Sequence, residues 1–147
     1  MSDMLVIRLK HTSELTVNEG LTAIQMGAGD MPVLAAPAMM ALMENAAMFA
    51  VADELPEGSL QAKRTSSSGT TDGGHVESSH LRPSKIGDVV RAEAEVTKIL
   101  CEQSDQGRAD SKKIEFKVSA YSGEKLLGEG THLRFFVDRE RFISKLG

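Results

Sequence analysis

The sequence predicts an α+β domain in which a curved antiparallel sheet wraps one long central helix. Three observations predict it. Residues 37–52, PAMMALMENAAMFAVA, read as a helix that is apolar almost all the way round. Such a helix must be surrounded by protein or lipid, and it is too short for a membrane span, which needs about 20 apolar residues. Four strand-like segments follow with no helix between them. One of them, residues 88–100, alternates Val90, Ala92, Ala94 and Val96 with Arg91, Glu93, Glu95 and Thr97, the period of a sheet with one buried face. A single domain over residues 1–147 holds all of this, because that length buries a core without staples.

Composition narrows the function. A net charge of −4 and a pI near 5.6 argue against a nucleic-acid surface. Aromatic residues make up 4% and Trp is absent, which leaves no stacking platform for bases. The single cysteine, Cys101, rules out an internal disulfide framework and fits a reducing compartment. It follows Ile99 and Leu100 at a strand end, has no C-x-x-C partner, and reads as an ordinary half-buried thiol. The first residues, MSDMLVIRLK, carry an early acid and a short apolar run, so they do not read as a secretory signal. The expectation is a soluble cytoplasmic protein with neither nucleic acid nor membrane as partner.

In chain order, residues 4–9 read as an edge strand and residues 13–17 as the first strand of the main sheet. Asn18-Glu19-Gly20 is a turn, and residues 26–32 are a flexible connector. Pro37 suits the first helical turn, Ala, Met and Leu favour the helix body, and Leu55-Pro56-Glu57-Gly58 carries the stop signals. Residues 58–74 are rich in Ser, Thr and Gly. They lack the Gly-Lys-Ser/Thr ending and following helix of a phosphate loop, and read as a mobile loop feeding a strand. Strands are expected at 75–80, 88–100, 112–121 and 125–137, with a polar turn at 102–110 and a hairpin turn at Ser122-Gly123-Glu124. Ile114, Phe116, Val118 and Ala120 share one face of the third. Gly128 and Gly130 in the fourth point to a bend or a close backbone approach. Residues 138–146 read as a capping helix with Phe142 and Ile143 docked. Strand, buried helix and antiparallel meander, in that order, make the hotdog fold.

Glu44 does not fit its helix. Ala41, Leu42, Met43, Ala46, Ala47 and Met48 surround it, and a buried carboxylate is costly unless paired or hydrogen-bonded. With Asn45 it marks either the helix's one solvated strip or a working carboxylate in a dry pocket. The helix alone leaves both open. His80, at a strand end after Ser78 and Ser79, reads alone as a hydrogen-bonded structural residue. His75 and His11 read as surface residues. The histidines and the cysteine have no ligand spacing, so no metal is expected.

Three stretches resemble the fluoroacetyl-coenzyme A thioesterase-like family of hotdog proteins. They are residues 33–44, VLAAPAMMALME; residues 76–83, VESSHLRP, followed by Gly87; and residues 128–134, GEGTHLR. Order and spacing agree from about residue 30 to the C-terminus. The resemblance implies a catalytic set of a mid-helix Glu, a strand-end His and a helix-start Thr. The first two fall on Glu44 and His80, and the Thr position is occupied by Ala36. Alanine has no hydroxyl to cap the helix, position water or act as nucleophile, so fluoroacetyl selectivity is not carried over. Also implied are substrate contacts at Ala35, Pro37, Gly74, His132 and Arg134. The implied substrate is an acyl-CoA or another acyl thioester, with no cofactor beyond the substrate's own coenzyme A. The implied assembly is a homodimer with sheets joined edge to edge and composite active sites.

Thioester hydrolysis needs a base to activate water, a donor for the developing oxyanion and a proton for the leaving thiol. Glu44 fits the base or a nucleophile, His80 an orienting and proton-carrying group. Backbone N–H groups around Ala35 to Ala38 fit the oxyanion donor, except at Pro37, which has none. His132 reads as a structural partner in the sheet or at a dimer interface, or as a contact behind the acyl pocket. Met39, Met40, Met43 and Met48 read as core packing that also shapes such a pocket. Arg82, Lys85 and Arg134 read as surface charge, with coenzyme A phosphates as the alternative. Two functions stay open: a thioesterase hydrolysing small or medium acyl thioesters, and a non-catalytic sensor or carrier of them. A hotdog dehydratase fits less well, since no hydratase acid–base pair is recognisable.

Overall fold

The computed structural model describes residues 9–51, 69–102 and 111–147. The run at 4–8, the stop signals at 55–58, the Ser/Thr-rich residues up to 68 and the turn at 103–110 lie outside the described residues, as does the side chain of Cys101. The strands are β1 (Lys10–Thr16), β2 (Gly69–His80), β3 (Val89–Glu102), β4 (Ser111–Ser122) and β5 (Lys125–Asp138). The helices are α1 (Ala23–Met26), α2 (Ala36–Ala50) and α3 (Arg139–Ser144). The sheet order is β1-β3-β4-β5-β2, and every neighbouring pair is antiparallel. This is the α+β hotdog fold, with α2 lying in the curved sheet.

The core forms where the expected rows meet the helix. Val90, Ala92, Ala94 and Val96 of β3 and Ile114, Phe116, Val118 and Ala120 of β4 are fully buried. They enclose Met39, Met43, Ala46 and Ala47 of α2 in one cluster. The alanines on β3 add little height above the sheet, so the helix can lie close to it. On α2 the buried residues recur as Ala38 and Met39, Leu42 and Met43, Ala46 and Ala47, then Ala50. That spacing of about four keeps them on one face. Fully burying each of Met39 and Met43 is worth about 1.5–3 kcal/mol.

The helix is not enclosed all round. Ala41 and Asn45 are exposed, and Glu44 and Met48 are half-buried. These positions fall on one strip along the helix. The sheet ends at β2, an edge strand, and leaves the strip uncovered on that side. Two loop contacts hold the helix start. Leu34 N–H donates to Ser84 O and Ala35 N–H to Leu21 O, both at 2.9 Å.

Some boundaries differ from expectation. β2 begins at Gly69, within what reads as loop, because β5 supplies a pairing partner from Asp138 back to Gly128. Ser, Thr and Gly give no strand signal by themselves, and tertiary pairing overrides them. The register shifts between Gly73 and His75, so Gly74 is the extra residue of a bulge. Ahead of the connector, in residues to which the sequence assigns no element, lies α1, whose first turn is capped by Thr22 Oγ1 accepting from Gln25 N–H at 3.3 Å. On β5 the glycines mark close approaches. A Cβ on Gly128 would lie 2.5 Å from Ser79 O and 2.6 Å from Met39 Cε, and one on Gly130 would fall onto Glu77 O. Phe142 and Ile143 on α3 are 40% and 57% exposed rather than docked. No described helix is long and apolar enough to cross a membrane.

Candidate functional site

Glu44 opens into a cleft of about 320 Å³ lined by Ala41, Glu44, Asn45, Met48, Asp72, Gly73 and Arg134. The cleft lies between the uncovered strip of α2 and β2. Gly73 makes room for the carboxylate. A Cβ there would sit 2.9 Å from Glu44 Oε2, 3.2 Å from His132 Cε1 and 3.5 Å from Arg134 Nη1. Three functional groups therefore converge on one point that only glycine leaves empty. Asn45 Oδ1 accepts from Ser13 Oγ at 2.7 Å, which ties this strip of the helix to β1.

Behind the carboxylate stands a buried polar chain. Pairing with Phe116 and Ile114 of β4 sets His132 and Arg134 on the inner, helix-facing side of β5. His132 is fully buried and Arg134 is 7% exposed, so the arginine is not the surface charge its sequence context suggests. Arg134 Nε–H donates to Thr71 Oγ1 and Nη2–H to Thr71 O, both at 2.8 Å. Its Nη1–H donates to His132 Nε2 at 3.1 Å. An imidazole that accepts at Nε2 carries its proton on Nδ1, and Nδ1–H donates to His75 O at 2.7 Å. Burial disfavours the imidazolium and holds His132 below its ordinary value. Burial also lowers Arg134, while Glu44 and Asp72 oppose that shift. A guanidinium remains charged throughout the working range all the same.

The other implied residues gather at the far end of the helix. Ala36 opens α2, and the N-cap residue Ala35 makes no side-chain cap. Ala38 and Met39 N–H both donate to Ala35 O, at 3.0 and 3.2 Å. Pro37 has no N–H, so the expected donor set contracts to Ala36 N–H, which has no acceptor among the described residues. His80 is paired with Gly128 on β5, near Met39 and hence near the helix start. Its ring is exposed. Seven residues of strand, roughly 20 Å at about 3.3 Å each, separate it from Gly73. The chain thus holds the Glu44 carboxylate and His80 beside the same face of β2 but does not bring them together. Gly74, expected beside substrate, faces the opposite way. The place of its missing Cβ is filled by the Phe135 ring, and its neighbour Gly73 faces the cleft.

The model of a fluoroacetyl-CoA-specific thioesterase family, FlK, matches residues 17–140. The chain belongs to this thioesterase family. Among proteins of curated function none matches it. Among solved structures, a threonine-to-serine mutant of FlK in complex with acetyl-CoA superposes with a TM-score of 0.76 at 22% identity, covering 97% of this chain and 96% of that one. A thioesterase superfamily member from Thermus thermophilus gives 0.73 at 20% identity, with 96% and 90% covered. A hot-dog-like protein from Thermanaerovibrio acidaminovorans gives 0.75 at 14% identity, with 99% and 93% covered.

In this thioesterase-family chain, reading the sequence misses Thr71, Asp72 and Gly73, which lie in a stretch that looks like loop. A signal was present. His132 and Arg134 alternate on one strand face, as do Thr71 and Gly73. Among the described residues no three His, Cys, Asp or Glu side chains come together to hold a metal ion.

Proposed function

We propose that the chain hydrolyses small or medium acyl-CoA thioesters, with Glu44 as the residue on which turnover depends. The observation that carries this reading is the Glu44 carboxylate in an otherwise apolar helix, facing a cleft beside a buried guanidinium. As general base, the carboxylate takes a proton from water as the hydroxyl attacks the thioester carbon. The carbon–sulfur bond breaks as the tetrahedral intermediate collapses, and the thiolate takes up a proton. As nucleophile, it attacks the thioester carbon and breaks the carbon–sulfur bond, the thiolate leaves and takes up a proton, and water opens the resulting mixed anhydride to the free acid and the carboxylate. Ala36 N–H, at the positive end of α2, offers the oxyanion donor.

His80 completes this centre across a dimer. β2 is one of the two edge strands of the sheet, and an antiparallel pairing of two β2 strands about an axis near Glu77 would continue the sheet. With Gly74 absorbed in the bulge, Gly73 then stands opposite His80 of the partner subunit. Glu44 of one protomer would meet the helix start and His80 of the other.

The test is a hydrolysis screen over acyl-CoA lengths with free thiol as readout. Glu44→Gln keeps the volume and removes the basic oxygen, and should lower turnover about 10²–10⁴-fold with the fold intact. Equal rates for this variant and wild type would refute the mechanism. Ala36 supports a second reading, a protein that binds acyl thioesters without cleaving them, since it lacks a hydroxyl. Binding without any cleavage by wild type selects that reading. Under the first reading, Ala36→Thr should raise activity on short acyl thioesters.

A further inference from the structure

The chain Thr71–Arg134–His132–His75 contains more order than packing requires. A guanidinium has five N–H donors. Three are fixed by Thr71 Oγ1, Thr71 O and His132 Nε2. These three acceptors lie on two strands, β2 and β5, so they set the plane of the guanidinium as well as its place. The remaining two N–H groups, one on each Nη, have no acceptor among the described residues, and Arg134 lines the Glu44 cleft. Nη1 and Glu44 Oε2 both lie within 3.5 Å of the point where Gly73 has no Cβ. The orientation of the cation next to the carboxylate is thus decided by what accepts from Nη1 on its inner side.

That acceptor is His132, and its own state is fixed from behind. His75 O can only accept, so it holds the proton on Nδ1 and leaves Nε2 as a lone pair facing Arg134. The ring is fully buried and lies 6.1 Å from Phe116, centroid to centroid. The charged and titratable groups acting on it are Arg134 on β5, Glu44 on α2 and His75 on β2. Burial and Arg134 both oppose a second proton. A protonated ring would point a donor at a donor and break the Nη1 contact, leaving the guanidinium held by Thr71 alone.

We propose that His132 is a positioning residue. Locked as the Nδ1–H tautomer by His75 O, it fixes the Arg134 guanidinium and through it the electrostatic setting of Glu44. The proposal rests on the reading of Glu44 as the group that turnover depends on. His132 is fully buried and acts through Arg134. Its role is to keep one hydrogen-bond acceptor in one place.

Two substitutions separate this role from packing. His132→Leu keeps apolar bulk and removes the acceptor. His132→Gln sets an amide oxygen near the place of Nε2. On an acyl-CoA that wild type cleaves, His132→Leu should lower kcat by up to about 10²-fold, the scale of a positioning loss, with KM little changed, and His132→Gln should recover much of it. Nitrogen-15 NMR of the imidazoles should show His132 as the neutral Nδ1–H form through the pH range in which exposed histidines titrate. The Arg134 Nε–H resonance should shift in the Leu variant and return toward its position in the Gln variant. The proposal is overturned if His132 titrates with the exposed histidines, if the Leu variant keeps wild-type kcat, or if Gln rescues neither kcat nor the Arg134 resonance in a folded protein. Should wild type cleave no thioester, the proposed reaction is wrong, and the tautomer and the Arg134 resonance decide the positioning role alone.

Discussion

Gly73 is where a single hydrogen atom separates an open site from a blocked one. Any side chain there meets Glu44 Oε2 at 2.9 Å and His132 Cε1 at 3.2 Å. Gly73→Ala should therefore reduce acyl-CoA hydrolysis more than it reduces the denaturation midpoint, because the displaced atoms are the site's own. His132 gives a second expectation at this scale. Its folded-state value lies below 6.5, so the unfolded chain takes up a proton that the folded chain refuses. Stability is complete above 6.5 and falls as the pH drops from there toward the folded-state value. Urea midpoints measured above and below 6.5 should show this slope, and His132→Leu should flatten it. Glu44 was legible in the sequence because a carboxylate among Ala, Leu and Met violates the pattern around it. Arg134 was not. An arginine two residues from a histidine in a strand looks solvent-facing until the curvature of the sheet shows which side of β5 is inside.

Elements were legible where their periodicity was strong. β3 announced itself by four alternations and α2 by its unbroken apolar run. β2 did not, because Thr, Gly and Ser carry no period, and only its pairing with β5 makes it a strand. That pairing has its own requirement. At Gly130 a Cβ would overlap the backbone of Glu77, and backbone cannot move aside as a flexible side chain can. Gly130→Ala should cost about 2 kcal/mol or more, toward the upper end of overpacking effects, read as a shift in the denaturation midpoint. α3 stands at the other extreme. Ile143 is 57% exposed, so replacing it by serine should change the denaturation midpoint far less than Gly130→Ala does.

For the whole molecule, the distance from Glu44 in the middle of α2 to the helix start matters most. The sequence placed Glu44 and His80 in one constellation, while within the chain the fold sets Glu44 beside Gly73 and His80 at the far end of β2. Linear order carries no information about which copy a residue works with. If the centre forms across β2 edges, specific activity should decline as the protein is diluted below its dissociation constant, and sedimentation over the same range should show dimer giving way to monomer. Constant activity from a population shown to be monomeric would remove the shared centre.

The division of one face between Glu44 and His80 also has a consequence for inheritance. If the centre is shared across β2 edges, a copy lacking the carboxylate and a copy lacking the imidazole would each be inactive with their own kind. Mixed, they would form a pair in which one centre has lost both groups and the other has lost neither. Two silent alleles, Glu44→Gln and His80→Ala, would then restore function when expressed together, each chain donating the half that its companion lacks.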